Sequence, residues 1–324
     1  MKSIVIYHSW TGNTKQIAEA IHSGMKEISD ECEIARLGEV DVAKLTDYDL
    51  VGLGSFVQSF QEPAIVKELI KSMPSLKGRY GFTFCTHGLC AGDYVANMVA
   101  ALRSKGLTII GWKDWYGGVL IPYMPKPYYT DGHPDEVDQR EAREFGRDIM
   151  ELGRRILKGE TQIIPELPLK EEYEKLYGTS FLLQDIPEDI IKVRAEMGRI
   201  KPMLNIEKCK YPKCTICVDN CPTQSINPSE STPISHQTCQ PCHLWFCEQL
   251  CPTGAIEVDW GPIERYQDSI NDFFAQQAKD MEKFKDIRHF RSLLTVEEGQ
   301  DEPLYKIKKH PRLVIRDGVV KLRS

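Results

Sequence analysis

Eight of the eleven cysteines in this 324-residue chain lie between residues 209 and 251. They form two runs of four, CKYPKCTICVDNCP at 209–222 and CQPCHLWFCEQLCP at 239–252, and each run ends in Cys-Pro. Their spacing is C-x4-C-x2-C-x3-C in the first run and C-x2-C-x4-C-x3-C in the second. Soft thiolates in groups of four select zinc or iron–sulfur clusters. The two runs therefore predict a pair of sites of one of these kinds.

A second stretch with chemical potential lies near the N-terminus, HSWTGNT at 8–14. It follows a short apolar β-rich run and precedes a helical pattern at 15–28. Its hydroxyls, amide, glycine and helix-start N–H groups can hold a phosphate. It lacks both the lysine of a triphosphate loop and a G-x-G-x-x-G motif, so it suits a phosphomonoester. The alternative is a polar turn that only caps the helix.

The elements around this loop alternate between strand and helix patterns up to residue 160. The predicted strands are 2–8, 32–37, 47–55, 79–88 and 107–112, and the further helices are 63–73, 93–106 and 134–159. Five strands with helices between them predict a doubly wound α/β domain over residues 1–160.

Beyond residue 160 the character of the chain changes. Prolines interrupt residues 161–203, which we interpret as a linker with short helices, one of them in KEEYEKLYG at 170–178. The cysteine region, 204–262, is predicted to be a small α+β domain. A charged helix at 264–291 and a tail with Asp-Gly between two β-rich runs follow, and that tail predicts a hairpin within the extension 263–324.

Residues 1–159 resemble a flavodoxin, whose phosphate loop reads [ST]-x-T-G-x-T; Ser9, Thr11, Gly12 and Thr14 match it. The resemblance implies a five-stranded parallel sheet of order 2-1-3-4-5, with FMN at the carboxyl ends of the strands. It also implies that the phosphate loop and the loops after strands three and four bind the FMN. The residues so implicated are Ser9, Trp10, Thr11, Gly12, Asn13, Thr14, Ser55, Phe56, Val57, Gln58, Thr86, His87, Gly88 and Asp93.

Two features near this predicted site have alternative interpretations. His87 is a candidate catalytic proton donor beside the flavin or, alternatively, a structural loop histidine. The long aromatic and proline-rich segment 111–135 either packs on its own body or on a second subunit, or it lines a site over the flavin. The aromatic residues in question are Trp112, Trp115, Tyr116, Tyr123, Tyr128 and Tyr129.

The two cysteine runs resemble the C-x2-C-x2-C-x3-C-P motifs of bacterial-type ferredoxins with two [4Fe-4S] clusters. In that family the fourth cysteine of each motif ligates the other cluster. The resemblance therefore assigns cluster one to Cys209, Cys214, Cys217 and Cys251, and cluster two to Cys239, Cys242, Cys247 and Cys221. One x4 gap replaces x2 in each motif, which puts the cluster potentials in doubt. Zinc is the alternative, although structural zinc prefers two CxxC pairs separated by a longer loop.

Composition limits the remaining function classes. The net charge is -6 and the pI about 5.8, so neither nucleic acid nor an anionic membrane surface is an expected partner. No run of about 18 apolar residues occurs, so no membrane span is expected. The N-terminus MKSIVIYHSW is typical of a first strand rather than of a signal peptide. We therefore expect a cytoplasmic protein.

Together the two resemblances imply an FMN- and iron–sulfur-dependent oxidoreductase of an anaerobic pathway. It would pass electrons between a low-potential protein donor, such as ferredoxin, and a redox enzyme or small-molecule acceptor. One alternative is an electron-transfer protein that serves a partner enzyme and has no substrate site of its own. Another is a binding module with zinc and no flavin. The resemblance also suggests a homodimer.

Overall fold

The computed structural model describes residues 1–125, 127–168, 172, 174–175, 186–239, 242, 244–283, 285–293, 313–316 and 319–322. Most of the helix predicted at 170–178 falls outside the described residues. The first of two compact units contains the described parts of Met1–Gly118, Thr130–Leu182 and Phe284–Leu293, and the second those of Val119–Tyr129, Leu183–Lys283 and Leu294–Ser324. None of the helices in the described residues has the length and apolar character needed to cross a membrane.

The first unit is built on a five-stranded parallel sheet. Its strands are β1 Ser3–His8, β2 Cys32–Arg36, β3 Leu50–Phe56, β4 Tyr80–His87 and β5 Thr108–Tyr116. Its helices of more than two turns are α1 Asn13–Lys26, α2 Ala64–Ser72, α3 Tyr94–Ser104 and α4 Glu136–Leu157. The strand order is β2-β1-β3-β4-β5, which confirms the predicted order.

Helices cover both faces of this sheet, as a parallel sheet requires. α2 and α3 contribute to one apolar core, and α1 and α4 contribute to the other. Two glycines allow α1 and α4 to pack very closely. A Cβ on Gly24 would lie 1.8 Å from the carbonyl oxygen of Arg143, and one on Gly146 would lie 2.0 Å from that of Ile21. This close packing holds the C-terminal half of α1 against α4.

Two boundaries differ from the sequence prediction in ways that matter for the site. α1 begins at Asn13 rather than at residue 15, so the end of the phosphate loop is already the first helical turn. β5 extends to Tyr116 rather than ending at residue 112, and its last pair is His87 with Tyr116. β5 lies at the edge of the sheet, where polar residues such as Lys113 are tolerated. The prediction was wrong there because these residues resemble a loop.

The second unit consists of short elements. They are α5 Glu188–Met197, β6 Met203–Leu204, α6 Ile216–Asp219, α7 His236–Cys239, α8 Phe246–Leu250, β7 Ile256–Glu257, α9 Gly261–Glu264, α10 Gln267–Lys283, and the antiparallel pair β8 Leu313–Arg316 and β9 Val319–Leu322. That pair confirms the predicted hairpin strands. α11, Lys285–Arg288, belongs to the first unit.

The segment after β5 contributes to the core of the second unit. Tyr123 packs in an apolar cluster with residues of α5, α9 and α10. The Tyr128 hydroxyl donates to that of Tyr129 at 2.7 Å, and the Tyr128 ring contacts Phe274 in α10. These three tyrosines pack against their own unit, which is one of the two alternatives for the aromatic segment. Trp112, Trp115 and Tyr116 instead belong to β5.

Candidate functional site

The loop after β1 is held in a defined shape by its own hydrogen bonds. Gly12 has a φ of 96°, in the left-handed region, and immediately precedes α1. Its N–H donates to Ser9 Oγ at 3.1 Å, and Asn13 Nδ2 donates to the carbonyl oxygen of Gly118 at 3.0 Å. No side chain caps α1 in the described structure. The first N–H groups of α1 therefore remain available to an anion.

The first turn of α1 is also tied to the end of β4. The hydroxyls of Thr14 and Thr86 lie 2.8 Å apart, and both residues are buried. Thr11 is half-buried and lies at the open part of the loop. The hydrogen bonds of Asn13 and Thr14 therefore shape the loop, and their contact with a cofactor stays a prediction.

Buried polar atoms without partners concentrate at the carboxyl ends of the strands. Within the described residues, six buried side-chain N or O atoms have no hydrogen-bond partner, and three of them are His8 Nε2, Trp10 Nε1 and His87 Nδ1. Leaving such a group unpaired costs about 1–3 kcal/mol. His8 ends β1, Trp10 follows it, and His87 ends β4. A ligand that supplied partners here would remove this cost.

Aromatic rings line the same edge of the sheet. The Trp10 and Phe56 ring centroids lie 4.6 Å apart, and the His8 ring lies 5.4 Å from Phe56. Burial, and then the charge of Arg36, lowers the pKa of His8 to about 4. His8 is therefore neutral near pH 7. Arg36, at the end of β2, is a nearby cation that the sequence prediction missed, because only the loops after strands one, three and four were searched for binding residues.

His87 forms a hydrogen-bonded pair with Asp114. His87 Nε2 and Asp114 Oδ2 lie 2.7 Å apart, and the His87 side chain is only 3% exposed. Because a carboxylate accepts hydrogen bonds, it holds the proton on Nε2 and leaves Nδ1 as the unpaired nitrogen. The Tyr116 ring contacts His87 edge-on, with centroids 4.8 Å apart. Asp114 was not predicted, because it lies in the part of β5 that was interpreted as a loop.

The loop after β3 is a tight turn anchored on β4 and α3. The Val57 N–H donates to the carbonyl of Thr86 at 2.9 Å, and Gln58 and Gln61 exchange backbone hydrogen bonds. The N–H of Asp93, which precedes α3, donates to the carbonyl of Phe60 in this turn at 2.9 Å. The loops after β3 and β4 are therefore joined to each other at the edge where the phosphate loop lies.

The buried side chain of Ser55 has partners inside the protein. Its hydroxyl donates to the carbonyl of Phe56 and bonds Tyr94, and its N–H donates to the Tyr94 hydroxyl at 2.9 Å. Tyr94 was not predicted, although it fixes the end of β3. Gly88 is half-buried in the loop after β4. Direct contact of Ser55, Gly88 or Asp93 with a cofactor stays a prediction.

In the second unit, thiols of the two runs lie close enough to affect one another's pKa. Burial, and then the thiols of Cys251, Cys209 and Cys214, raise the pKa of Cys217 to about 11. Cys217 therefore has two cysteines of its own run and the last cysteine of the second run as neighbours. These four cysteines make up the first predicted ligand group, and their binding of a cluster stays a prediction.

The second group shows the reciprocal arrangement. Burial raises the pKa of Cys242 to about 11, and the neighbouring thiols of Cys239 and Cys221 add to this effect. Burial, and then Cys239, Cys242 and Cys221, raise the pKa of Cys247 well above its usual value. Cys221, the last cysteine of the first run, thus lies among the first three cysteines of the second.

A 30-residue repeat holds both groups. Cys209, Cys217 and Cys221 recur 30 positions later as Cys239, Cys247 and Cys251. The strand residues that flank them also correspond. Leu204 pairs with Ile256, and Ile234, 30 positions after Leu204, pairs with Ile226. The Asn205 N–H donates to the Ala255 carbonyl at 2.7 Å, and the Ser235 N–H donates to the Ser225 carbonyl at 2.8 Å.

The last cysteine of each run accepts matching hydrogen bonds. Cys221 Sγ accepts from the Ser225 N–H at 3.2 Å, and Cys251 Sγ accepts from the Ala255 N–H at 3.1 Å. Although burial acts in the opposite direction, the hydrogen bonds to Cys251, led by that of the Thr253 hydroxyl, lower the pKa of its thiol. N–H donors to sulfur stabilise a thiolate, the form that binds a metal.

Another group of possible ligands within the described residues is occupied by an arginine. His133, Asp135 and Asp138 have ligand atoms within 4.8 Å of one another. Arg291 donates to Asp135 at 2.6 and 2.8 Å and to Asp138 at 3.2 Å. Asp135 also accepts from the first N–H groups of α4. This group is an ion-paired helix cap.

The comparison with known proteins concerns the first unit. Residues 4–105 match the family model of a flavodoxin domain. This part of the chain is a flavodoxin-like domain. The strand order is the one expected for a flavodoxin-like domain. The matched residues include the phosphate loop and the ends of β1, β3 and β4.

Relatives with similar sequences include a flavodoxin, a flavodoxin-like protein and a quinone dehydrogenase. A flavodoxin of Megasphaera elsdenii is 26% identical over 110 residues, which are 33% of this chain and 80% of the relative. The flavodoxin-like domain-containing protein BilS of Clostridioides difficile is 26% identical, over 46% of this chain and 97% of BilS. An NAD(P)H dehydrogenase (quinone) of Archaeoglobus fulgidus is 25% identical, over 47% of this chain and 97% of that protein. A solved flavodoxin from the Archaea covers 48% of this chain and 99% of its own, with 22% identity and a TM-score of 0.38.

Proposed function

We propose that this protein is an FMN- and iron–sulfur-dependent oxidoreductase that passes electrons between a low-potential donor, such as ferredoxin, and an acceptor. The observation that carries the proposal is that Cys217 has Cys209, Cys214 and Cys251 as thiol neighbours and Cys247 has Cys239, Cys242 and Cys221, in one chain with a flavodoxin-like domain. Oxidoreductase activity is also in keeping with the named function of the quinone dehydrogenase relative. Thiolate-rich sites need a reducing compartment, which supports a cytoplasmic location.

The loop after β1 fits the phosphate of FMN. It offers hydroxyls, a left-handed glycine and uncapped helix N–H groups, and Arg36 of β2 is a cation close to His8. The unpaired Trp10 Nε1 and His8 Nε2 are donor and acceptor at the same edge. Bound there, FMN would supply a centre that exchanges one or two electrons. The residues proposed to hold it are those of the phosphate loop and of the loops after β3 and β4.

The two cysteine groups fit [4Fe-4S] clusters. Each supplies four thiols, and the N–H donors of Ser225 and Ala255 favour thiolate at Cys221 and Cys251. The crossed assignment matches the ligand pattern of two-cluster ferredoxins. Such clusters would supply one-electron centres. We propose Cys209, Cys214, Cys217 and Cys251 as ligands of cluster one and Cys239, Cys242, Cys247 and Cys221 as ligands of cluster two.

We propose that His87 and Asp114 move protons beside the flavin. Asp114 holds His87 Nε2, so Nδ1 is the nitrogen that can take a proton from, or return it to, a partner at this edge. Burial excludes water from the imidazole, which leaves Asp114 to fix the ring orientation. An electron arriving at this site can then be matched by a proton at Nδ1.

The test compares the complete protein with protein stripped of FMN. An acidic ferredoxin, photochemically reduced, is mixed anaerobically with each, and quinone reduction is followed by absorbance. The proposal predicts that both forms accept electrons at the clusters and that only the FMN-containing form reduces the quinone. Cluster reduction without quinone reduction in both forms would instead favour the second candidate, a carrier that serves a partner enzyme. The exposed apolar residues around the first cysteine run are the observation in favour of that candidate.

A further inference from the structure

The two cysteine runs differ sharply in how far their loops are exposed. Residues 206–208 just before the first run and residues 210–213 within it are exposed, and none of residues 215–221 is buried. The residues of the second run that correspond to 215–221 are 245–251, and these are all buried. The repeat relates the two stretches, so this difference is not a property of the fold of the repeat itself. The first run therefore forms an open surface over its cysteines, whereas residues 245–251 of the second run are covered.

Large apolar side chains concentrate on this open surface. Eight large hydrophobic residues are exposed within the described residues, and four of them lie between residues 203 and 216. They are Met203 at 59%, Ile206 at 62%, Tyr211 at 38% and Ile216 at 38% exposed. The last three lie within three positions of Cys209, Cys214 or Cys217. Exposed apolar groups clustered in this way mark interaction sites.

The same surface is basic, although the chain as a whole is acidic. Residues 201–217 contain four lysines and one glutamate, a net charge of +3 (4 − 1), whereas the chain carries -6. Lys208 is paired with Glu257 at 2.6 Å. Within the described residues, Lys201, Lys210 and Lys213 have no carboxylate partner. The corresponding residues of the repeat, 231–247, contain no Lys, Arg, Asp or Glu.

We propose that residues 201–217, here called the first-run surface, are the docking site of an acidic electron-carrier protein. This inference rests on the proposed function, because it requires a redox centre held by Cys209, Cys214 and Cys217. The apolar residues supply the dry centre of the contact, and the lysines supply the charged rim that steers an acidic partner. The net acidity of the rest of the chain directs such a partner away from other faces.

The electron balance is simple. The reduced carrier would lose one electron, and the redox centre held by Cys209, Cys214, Cys217 and Cys251 would gain it, so the carrier is the reductant and that centre the oxidant. No covalent bond forms or breaks. A two-electron acceptor would require two docking events.

The experiment uses the full chain with its cofactors and a reduced acidic two-cluster ferredoxin as the probe. The second-order rate of protein reduction is measured by stopped flow over a salt series. The Lys210→Glu/Lys213→Glu variant should react about tenfold more slowly at low salt, and its rate should not fall as salt rises. The Ile206→Ser/Ile216→Ser variant should also react more slowly but keep the wild-type salt dependence.

Matched controls separate docking from damage. Lys77→Glu/Lys158→Glu makes the same charge change at exposed residues of the first unit and should react like the wild type. Reduced methyl viologen, a small cation, should reduce the Lys210→Glu/Lys213→Glu variant no more slowly than the wild type, because the added carboxylates attract a cation, and it should reduce the Ile206→Ser/Ile216→Ser variant at the wild-type rate. A Lys210→Glu/Lys213→Glu rate within about twofold of wild type, or an equal loss in the control, would overturn the proposal.

Cluster content and sedimentation separate failure of the proposed function from failure of the docking site. Every variant is first assayed for iron and sulfide: their absence from the wild type would overturn the proposed function, and this inference with it. Clusters present with unchanged rates would overturn the docking site alone. A change in sedimentation of the free protein on replacing these lysines would show an interface between two copies of the chain, which also contradicts the proposal.

Discussion

At the scale of single residues, the site at the strand ends is defined by groups that lack partners inside the protein. His8, Trp10 and His87 each bury a polar atom that no described residue satisfies. Ser55, Asn13 and Thr14, in contrast, have partners inside the protein. We propose that His8, Trp10 and His87 face a bound ligand. The other three residues shape the loops that hold it.

Replacing Gly12 should weaken flavin binding. An alanine with a φ of 96° is strained by about 1–2 kcal/mol, and relaxing that strain moves the N–H groups at the start of α1. We expect Gly12→Ala to weaken FMN binding about tenfold, measured by quenching of flavin fluorescence. Gly38→Ala is the control, because a Cβ there has open space around it. Equal binding by both variants would contradict the assigned role of the loop.

The stability of the flavin-free protein should depend on His8 at acid pH. Its pKa falls from 6.5 to about 4 on folding, so the neutral form is favoured in the native state. The stabilisation is present above pH 6.5 and is lost as the pH falls toward 4. The free energy of unfolding, measured with urea, should fall between pH 7 and pH 4.5 in both proteins. The fall should be about 2 kcal/mol smaller in His8→Phe than in the wild type. His289→Gln, an exposed histidine, should show no such difference.

His87 should control how the flavin potential depends on pH. Its Nδ1 is the unpaired nitrogen at this edge, and a proton held there favours the electron-rich reduced flavin. In His87→Gln the flavin potential should therefore change less steeply with pH, and at low pH it should be more negative than in the wild type. Asp114→Asn should alter the same profile, because it no longer fixes the proton on Nε2. Identical profiles in a spectroelectrochemical titration would leave His87 with a structural role.

At the scale of elements, the pattern of strands and helices was readable from the sequence, and the exact ends were not. Apolar runs separated by helical spacing placed all five strands of the sheet. The end of β5 was missed because Lys113 and Asp114 at a sheet edge look the same in sequence as loop residues. Asp114 was missed for that reason, and Arg36 was missed because the predicted binding loops did not include the end of β2.

The cysteine groups were more predictable than the flavin loops. The resemblance to ferredoxin motifs led to the crossed assignment, and thiols of opposite runs are neighbours in the structure, while cluster ligation by them stays a prediction. The exposure of the first run and the burial of the second were not predicted, because the packing of Trp245 and Phe246 decides which loop is covered.

The crossed arrangement makes a specific prediction about substitutions. Cys251→Ser lies in the second run but should remove cluster one, as Cys209→Ser does, while Cys221→Ser should remove cluster two. Each variant should retain about four of the eight iron atoms. Electron paramagnetic resonance of the reduced proteins should group Cys251→Ser with Cys209→Ser. A spectrum of Cys251→Ser like that of Cys247→Ser would contradict the crossed ligand assignment. Cys32→Ser is the control and should leave both clusters intact.

At the scale of the whole molecule, the account joins two kinds of redox site in one chain. The flavodoxin-like domain is shown by its match and by its sheet order, whereas the clusters rest on the grouping of the cysteines. Composition alone excluded few classes, since a charge of -6 describes the average surface and conceals the basic first-run surface. Charge at this scale predicts solubility and broad partner class, while docking is decided locally.

The central claim is that the chain binds both a flavin and two iron–sulfur clusters. The most direct measurement is elemental and flavin analysis of anaerobically purified protein, together with its absorption spectrum. The account predicts about eight iron atoms, about eight sulfides and one FMN per chain, with no stoichiometric zinc. Zinc in place of iron, in a colourless protein without flavin, would contradict it.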